Sequence, residues 1–138
     1  TNNNAVANTI ANVTGLSFSV TAGKVYYFKF IIYYTSAATT TGSRWCVTCD
    51  AGLATNLSMI SEYSLTATTS TRNGNVQGFD LPAGCNATSA STANNMAVME
   101  GYFKPTADGT FTARFASEVA GSAIVAKTGS VCFYQQLT

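Results

Sequence analysis

Apolar and polar residues in this chain alternate one by one rather than in threes and fours, the spacing of strands and not of helices. Leu16, Phe18 and Val20 alternate with Ser17, Ser19 and Thr21, which predicts a strand with one buried face, and Ala22-Gly23 follows as a turn. Over residues 25–34 the rule breaks. Tyr26, Phe28, Phe30, Ile32 and Tyr34 fall on one face and Val25, Tyr27, Ile31 and Tyr33 on the other, with only Lys29 interrupting. A strand apolar on both faces must be covered on both. A second sheet supplies one cover. For the other, the expectation is further copies of the same chain about a threefold axis, with Tyr26, Tyr27, Phe28, Tyr33 and Tyr34 in or near the contact. The alternative is a monomer whose own middle segment covers that side.

The remaining pattern extends the same theme. Residues 36–42 (SAATTTG) are a small polar turn, and residues 43–49 (SRWCVTC) resume an extended pattern. Residues 50–95 are rich in turn formers, with short strand candidates at residues 59–60, 63–65 and 76–81. Residues 95–103 read as a strand, Pro105-Thr106-Ala107-Asp108-Gly109 as a turn, and residues 110–118 as the strand returning antiparallel. Residues 123–127 and 130–137 complete the sheet. About six to eight strands punctuated by Gly, Pro and Asn predict an all-β fold, a single antiparallel β-sandwich over residues 15–138, most simply a jelly roll. Residues 1–14, polar and Asn-rich, are expected to form an N-terminal arm. The long middle loops are the expected recognition surface, with Tyr63, Arg72, Asn73, Asn75 and Phe79 placed to stack on and hydrogen-bond a host-surface glycan or protein.

Composition narrows the setting. Of 138 residues 46% are hydrophobic and only 9% charged, against roughly 25% in ordinary soluble domains, so neutral Ser, Thr, Asn and Gln must carry solubility. Such a surface suits assemblies and extracellular particles. Seven basic and six acidic residues leave a net charge of +1, and the basic ones stand singly along the chain, which disfavours nucleic-acid binding. No apolar run approaches the roughly 18 residues of a membrane helix, so membrane insertion is not expected. The chain starts at Thr1 without a signal-peptide pattern and is expected to be a processed product or a fragment of a longer protein.

Candidate chemistry is sparse. Cys46-Val47-Thr48-Cys49 has the spacing of a redox or zinc motif, but nothing around it suggests the helix start a redox pair uses. A zinc site needs two further ligands, and the chain offers only Cys85, Cys132 and no histidine. No metal or other cofactor is therefore expected. Cys46 and Cys132 read as buried strand residues, and Cys49 with Cys85 as a candidate disulfide between loop ends. Without histidine, Ser-His-Asp and Cys-His arrangements are impossible within the chain. Asp50, Glu62, Asp80, Glu100, Asp108 and Glu118 show no spacing that singles out a catalytic pair, and no Gly-rich phosphate loop occurs. The sequons at Asn12, Asn56 and Asn86 are expected by chance in so Asn-, Ser- and Thr-rich a chain. The chemistry points away from an enzyme.

Two segments carry a resemblance. Gly15-Leu16-Ser17-Phe18-Ser19-Val20 with Ala22-Gly23-Lys24-Val25-Tyr26-Tyr27-Phe28, then Tyr34-Thr35-Ser36-Ala37-Ala38-Thr39-Thr40-Thr41-Gly42, resembles a module of structural proteins of tailed bacteriophages and prophages. So does Glu100-Gly101-Tyr102-Phe103-Lys104-Pro105 with Gly109-Thr110-Phe111, Arg114-Phe115-Ala116-Ser117-Glu118-Val119 and Thr128-Gly129-Ser130. Residues 15–42 and 96–137 are covered, and the middle is not. The resemblance implies a virion protein with a TNF-like β-sandwich that trimerises. Two roles follow as expectations: a tail-fibre or tail-associated module binding the host surface, or a capsid decoration (cement) protein bound to the major capsid protein at capsomer junctions, its arm laid across neighbouring subunits.

Overall fold

In the computed structural model, which describes residues 2–51 and 56–137, the aromatic ribbon is the central strand of the larger of two sheets. Among the described residues the strands are β1 (Asn2–Asn4), β2 (Ala11–Val20), β3 (Tyr26–Ser36), β4 (Ser43–Cys49), β5 (Leu57–Ser64), β6 (Ser70–Val76), β7 (Asn95–Phe103), β8 (Gly109–Ser117), β9 (Ile124–Ala126) and β10 (Val131–Gln136). The larger sheet runs β1-β9-β3-β7-β5-β6, with β10 also paired to β3. The smaller runs β2-β8-β4, and all the named pairings are antiparallel. The two sheets pack face to face as the expected β-sandwich. A jelly roll has eight strands in two Greek keys, whereas this larger sheet is widened by β5 and β6 and the smaller has three described strands.

Two expected hairpins are instead crossings between sheets. β2 pairs with β8 and β3 with β7, so the turn at Ala22-Gly23 carries the chain across the sandwich. The turn at residues 105–109 does the same between β7 and β8. Sheets pack about 10 Å apart, a gap five extended residues span with ease. A turn signal marks where the chain reverses, and it does not say whether the partners lie in one plane.

The expected arm is also folded in. Asn2–Asn4 pair with β9, Asn4 is buried, and its Nδ2 donates to Thr9 O at 2.6 Å and Phe115 O at 3.1 Å. Residues 11–14 already belong to β2. Thr1, at the start of that expected arm, and Thr138, at the end of the expected domain, lie outside the described residues.

Both sheets fill one core. Phe111 of β8 is its hub, with ring centroids 4.7 Å from Phe28, 4.7 Å from Phe103 and 5.4 Å from Phe18. Towards the other end Trp45 stacks on Phe115 at 5.3 Å and meets Tyr34 at 4.8 Å. The Trp45 indole donates to Ser43 Oγ at 3.0 Å, which keeps this ring's polar edge satisfied without water.

Candidate functional site: the outer face of the larger sheet

Strand pleating splits the aromatic ribbon between two environments. Tyr26, Phe28, Phe30, Ile32 and Tyr34 point inward and are buried. Three of the five residues expected at an oligomer contact, Tyr26, Phe28 and Tyr34, are thus committed to the core. The Tyr26 hydroxyl is spent there as well, accepting from Thr21 N at 2.9 Å and donating to Gln136 Oε1 at 3.1 Å. Tyr27 and Tyr33 point outward.

Register places the outward side chains in rows across four strands. Phe133, Lys29, Glu100 and Ile60 form one row, Val131, Ile31, Val98 and Glu62 the next, and Gln135, Tyr27, Tyr102 and Ser58 a third. Tyr33 and Met96 sit side by side beyond them. Met96, Phe133 and Tyr102 are 57%, 55% and 54% exposed, and Tyr33 and Ile60 are exposed too. Four strands about 4.8 Å apart, from Tyr27 to Tyr33 in depth, give a face of roughly 300 Å², the size at which exposed apolar patches mark contact sites. The smaller sheet's outer face is different in kind, with Ser17, Thr112 and Thr48 in one row.

At the centre of the apolar face lies one polar cluster. Lys29 Nζ is 3.2 Å from Glu100 Oε2, and the Tyr27 hydroxyl donates to Glu100 Oε1 at 2.5 Å. The Tyr27 hydrogen bond and then Lys29 hold the Glu100 carboxyl below its ordinary pKa, while that same bond pushes Tyr27 up. The Lys29–Glu100 pair is neutral overall, so neither of its charges would be left alone beneath an apolar partner, while Glu62 in the next row is an exposed carboxylate whose Oε1 accepts from Ser70 Oγ. Beside it a groove of about 580 Å³ runs over Ile60, Val98 and Met96 towards the loop at Thr66–Thr69, with Glu62 and Glu100 in its wall.

Of this face the sequence pattern gives Tyr27, Ile31 and Tyr33. Met96, Val98 and Tyr102 were missed, although Met96, Val98, Glu100 and Tyr102 alternate with the buried Ala97, Met99, Gly101 and Phe103. That alternation shows which residues share a face. It does not show that the exposed set is the apolar one.

The expected receptor residues do not gather into a loop surface. Tyr63 is 1% exposed in β5, and Phe79 is half-buried with its ring 5.7 Å from Phe103. Arg72, Asn73 and Asn75 lie on β6, an edge strand, with Arg72 and Asn75 exposed and Asn73 donating to Ser61 Oγ at 3.0 Å. Aromatic side chains in a polar stretch turned inward because the core takes them first.

The cysteines are all free thiols. Cys85 Sγ donates to Ala116 O at 3.8 Å, beside Arg44, on the outer side of the smaller sheet. Cys49 is buried in the core, five positions further along β4, roughly 17 Å away at strand rise. A disulfide needs Cα atoms within about 7 Å, so the expected Cys49–Cys85 bridge is ruled out in this fold. Burial pushes the Cys46 thiol up to about 12 and those of Cys85 and Cys132 up to about 11. No cluster of metal-ligating side chains occurs among the described residues.

Over the smaller sheet, the segment after β6 is pinned by charge. Both Asp80 carboxylate oxygens accept from Arg114 Nη1 at 2.8 Å, and Arg44 Nη2 donates to Asp80 O. Asp80 N donates to Val47 O at 2.9 Å and Asn86 N to Ser43 O at 2.9 Å, which closes the open edge of β4. Comparison with models of protein families, with curated proteins and with solved structures finds no match for this chain.

Proposed function

We propose that this chain is a non-enzymatic structural module of a bacteriophage virion that assembles with its own copies as a homotrimer through the outer face of the larger sheet. The observation that carries the reading is the gathering of Tyr33, Ile60, Met96, Tyr102 and Phe133 on that one face. A lone chain would leave these side chains in water, and a cyclic assembly buries the same patch of every copy.

The resemblance to phage structural modules supports the virion setting. Its two segments contain β3, β10 and nearly all of β7, three of the four strands that build the face. Of the two virion roles, a tail-fibre or tail-associated module that contacts the host surface is the better supported. The decoration reading lays residues 1–12 across neighbouring subunits, whereas Asn2–Asn4 are tied into the chain's own sheet. The host contact falls to exposed polar positions such as Arg72 and Asn75 on β6.

Light scattering on the purified protein at micromolar concentration tests the assembly. Three times the 14.4 kDa chain mass is expected, with Tyr102→Lys lowering it to one chain while the protein stays folded. A wild-type monomer overturns the reading. Adsorption assays then separate the roles: excess protein should block phage attachment to host cells, whereas recovery on tail-less, DNA-filled heads identifies a decoration protein.

A further inference from the structure

β6 carries a pair of residues that self-assembly does not use. Asn73-Gly74 is the one Asn-Gly pair in the chain. A backbone amide that attacks the preceding Asn side chain meets least hindrance at glycine, which has no Cβ. The fold adds slack to that advantage. Ser61 faces Asn73 and Met59 faces Val76, so Ile60 alone lies opposite Gly74 and Asn75. Such a bulge leaves one residue outside the ladder and bends the strand. Gly74 is exposed, and a Cβ built on it would meet nothing within 4 Å. Among the described residues β6 is also the terminal strand of its sheet, with no neighbouring strand on its far side.

The other half of the arrangement is a buried hydroxyl. Asn73 Nδ2 donates to Ser61 Oγ at 3.0 Å, and Ser61 is fully buried on β5. As an amide nitrogen becomes a leaving amine its lone pair is freed, and the hydroxyl that accepted its hydrogen bond can then donate to it.

We propose that Asn73-Gly74 is a self-modification site of the folded protein, at which Asn73 loses ammonia with Ser61 as the proton donor. The Gly74 backbone nitrogen forms a bond to Asn73 Cγ and gives up its proton. The Cγ–Nδ2 bond breaks as Ser61 Oγ–H protonates the departing nitrogen, and the proton released from Gly74 restores the Ser61 hydroxyl. Ammonia leaves and a five-membered cyclic imide remains. Water then adds to either imide carbonyl and opens the ring to aspartate or β-aspartate. No oxidant or reductant is involved. Both products place a new negative charge beside Arg72, and β-aspartate lengthens the backbone by one methylene at the sheet edge.

The test follows the Asn73 peptide by mass mapping after incubation of folded protein in neutral buffer, where conversion adds about one mass unit. Wild type, Ser61→Ala and Gly74→Ala are compared, each folded and in urea. Asn73 should convert before any other asparagine in the folded protein. Ser61→Ala should slow the folded reaction on the order of tenfold, below the usual range for general acids because water competes as donor, and leave the rate in urea unchanged. Gly74→Ala, which has open space for its methyl, should slow both. Conversion confined to the unfolded chain, or a folded Ser61→Ala variant as fast as wild type, overturns the proposal.

Discussion

Glu100 stands directly across the strand pair from Lys29, its Oε2 3.2 Å from Nζ, with the Tyr27 hydroxyl on its other oxygen at 2.5 Å. These three groups form a polar centre on a face whose large exposed side chains are apolar, with Ser58, Glu62 and Gln135 on its outer strands. Charged pairs at the margin of a contact contribute little, but one beneath an apolar contact must arrive already paired, since an unpaired charge there costs far more than the pair returns.

Removing the Tyr27 hydroxyl should be visible in the acid limb of stability. Glu100 titrates below its ordinary value in the folded chain, so its contribution is fully present above about pH 4.5 and fades as pH falls through the folded pKa. Tyr27→Phe should raise the Glu100 pKa towards the ordinary carboxylate range and remove part of that acid-side dependence. Carboxyl NMR titration of the two proteins measures it; an unmoved Glu100 counts against the hydrogen bond as the principal cause.

Phe111 joins rings from both sheets, so its loss should be felt by the whole sandwich. Phe111→Ala is expected to cost about 3–5 kcal/mol, much of the stability of an ordinary domain. A urea titration with both near- and far-ultraviolet circular dichroism would show the two signals shifting together. A loss below about 1 kcal/mol would mean the ring is not packed as described.

Asp80 tests the strap over the smaller sheet. Its φ of 56° is in the left-handed region, which Asn also tolerates, so Asp80→Asn removes charge without adding backbone strain. Because the pair with Arg114 is partly exposed, the expected loss is about 1–2 kcal/mol. Protease cleavage within residues 77–88 should quicken at the same time. An unchanged cleavage rate would show that the strap is held by its backbone bonds alone.

Thiol chemistry should separate folded from unfolded chain. Without reductant, the urea-unfolded protein is expected to react at all four cysteines, and reduction should leave the folded stability unchanged. In the native protein Cys46 should be the last to react, buried fully and with its thiol pushed up to about 12. Two missing thiols in the unfolded, unreduced chain would reveal a disulfide absent from this fold.

Local pattern carried much of the fold. Period-two alternation over Leu16 to Val20 announced a strand because a pleated backbone turns successive side chains to opposite sides, and residues 95–103 also read as a strand. It also found the aromatic ribbon and grouped Tyr26, Phe28, Phe30, Ile32 and Tyr34 on one face, but not that this face is the inward one, since Tyr26, Phe28 and Tyr34 were expected at an oligomer contact. It misread Tyr63 and Phe79 as surface residues, since neighbours such as Ser64 and Gly78 make a segment look polar whichever way its rings turn.

The chain order of apolar residues by itself determined that this protein is built of strands and that its ribbon has two apolar faces, and composition that the chain holds no histidine. Pairing was decided only by the tertiary structure. Alternation is a property of one strand and says nothing of its partner, so the assignment of β2 and β3 to opposite sheets, the docking of Asn2–Asn4 on β9 and the separation of Cys49 from Cys85 depended on contacts distant in sequence. The outer face is the clearest case. Tyr102, Met96, Phe133 and Ile60 lie on three strands, β7, β10 and β5, and become one surface because hydrogen-bond register sets them side by side.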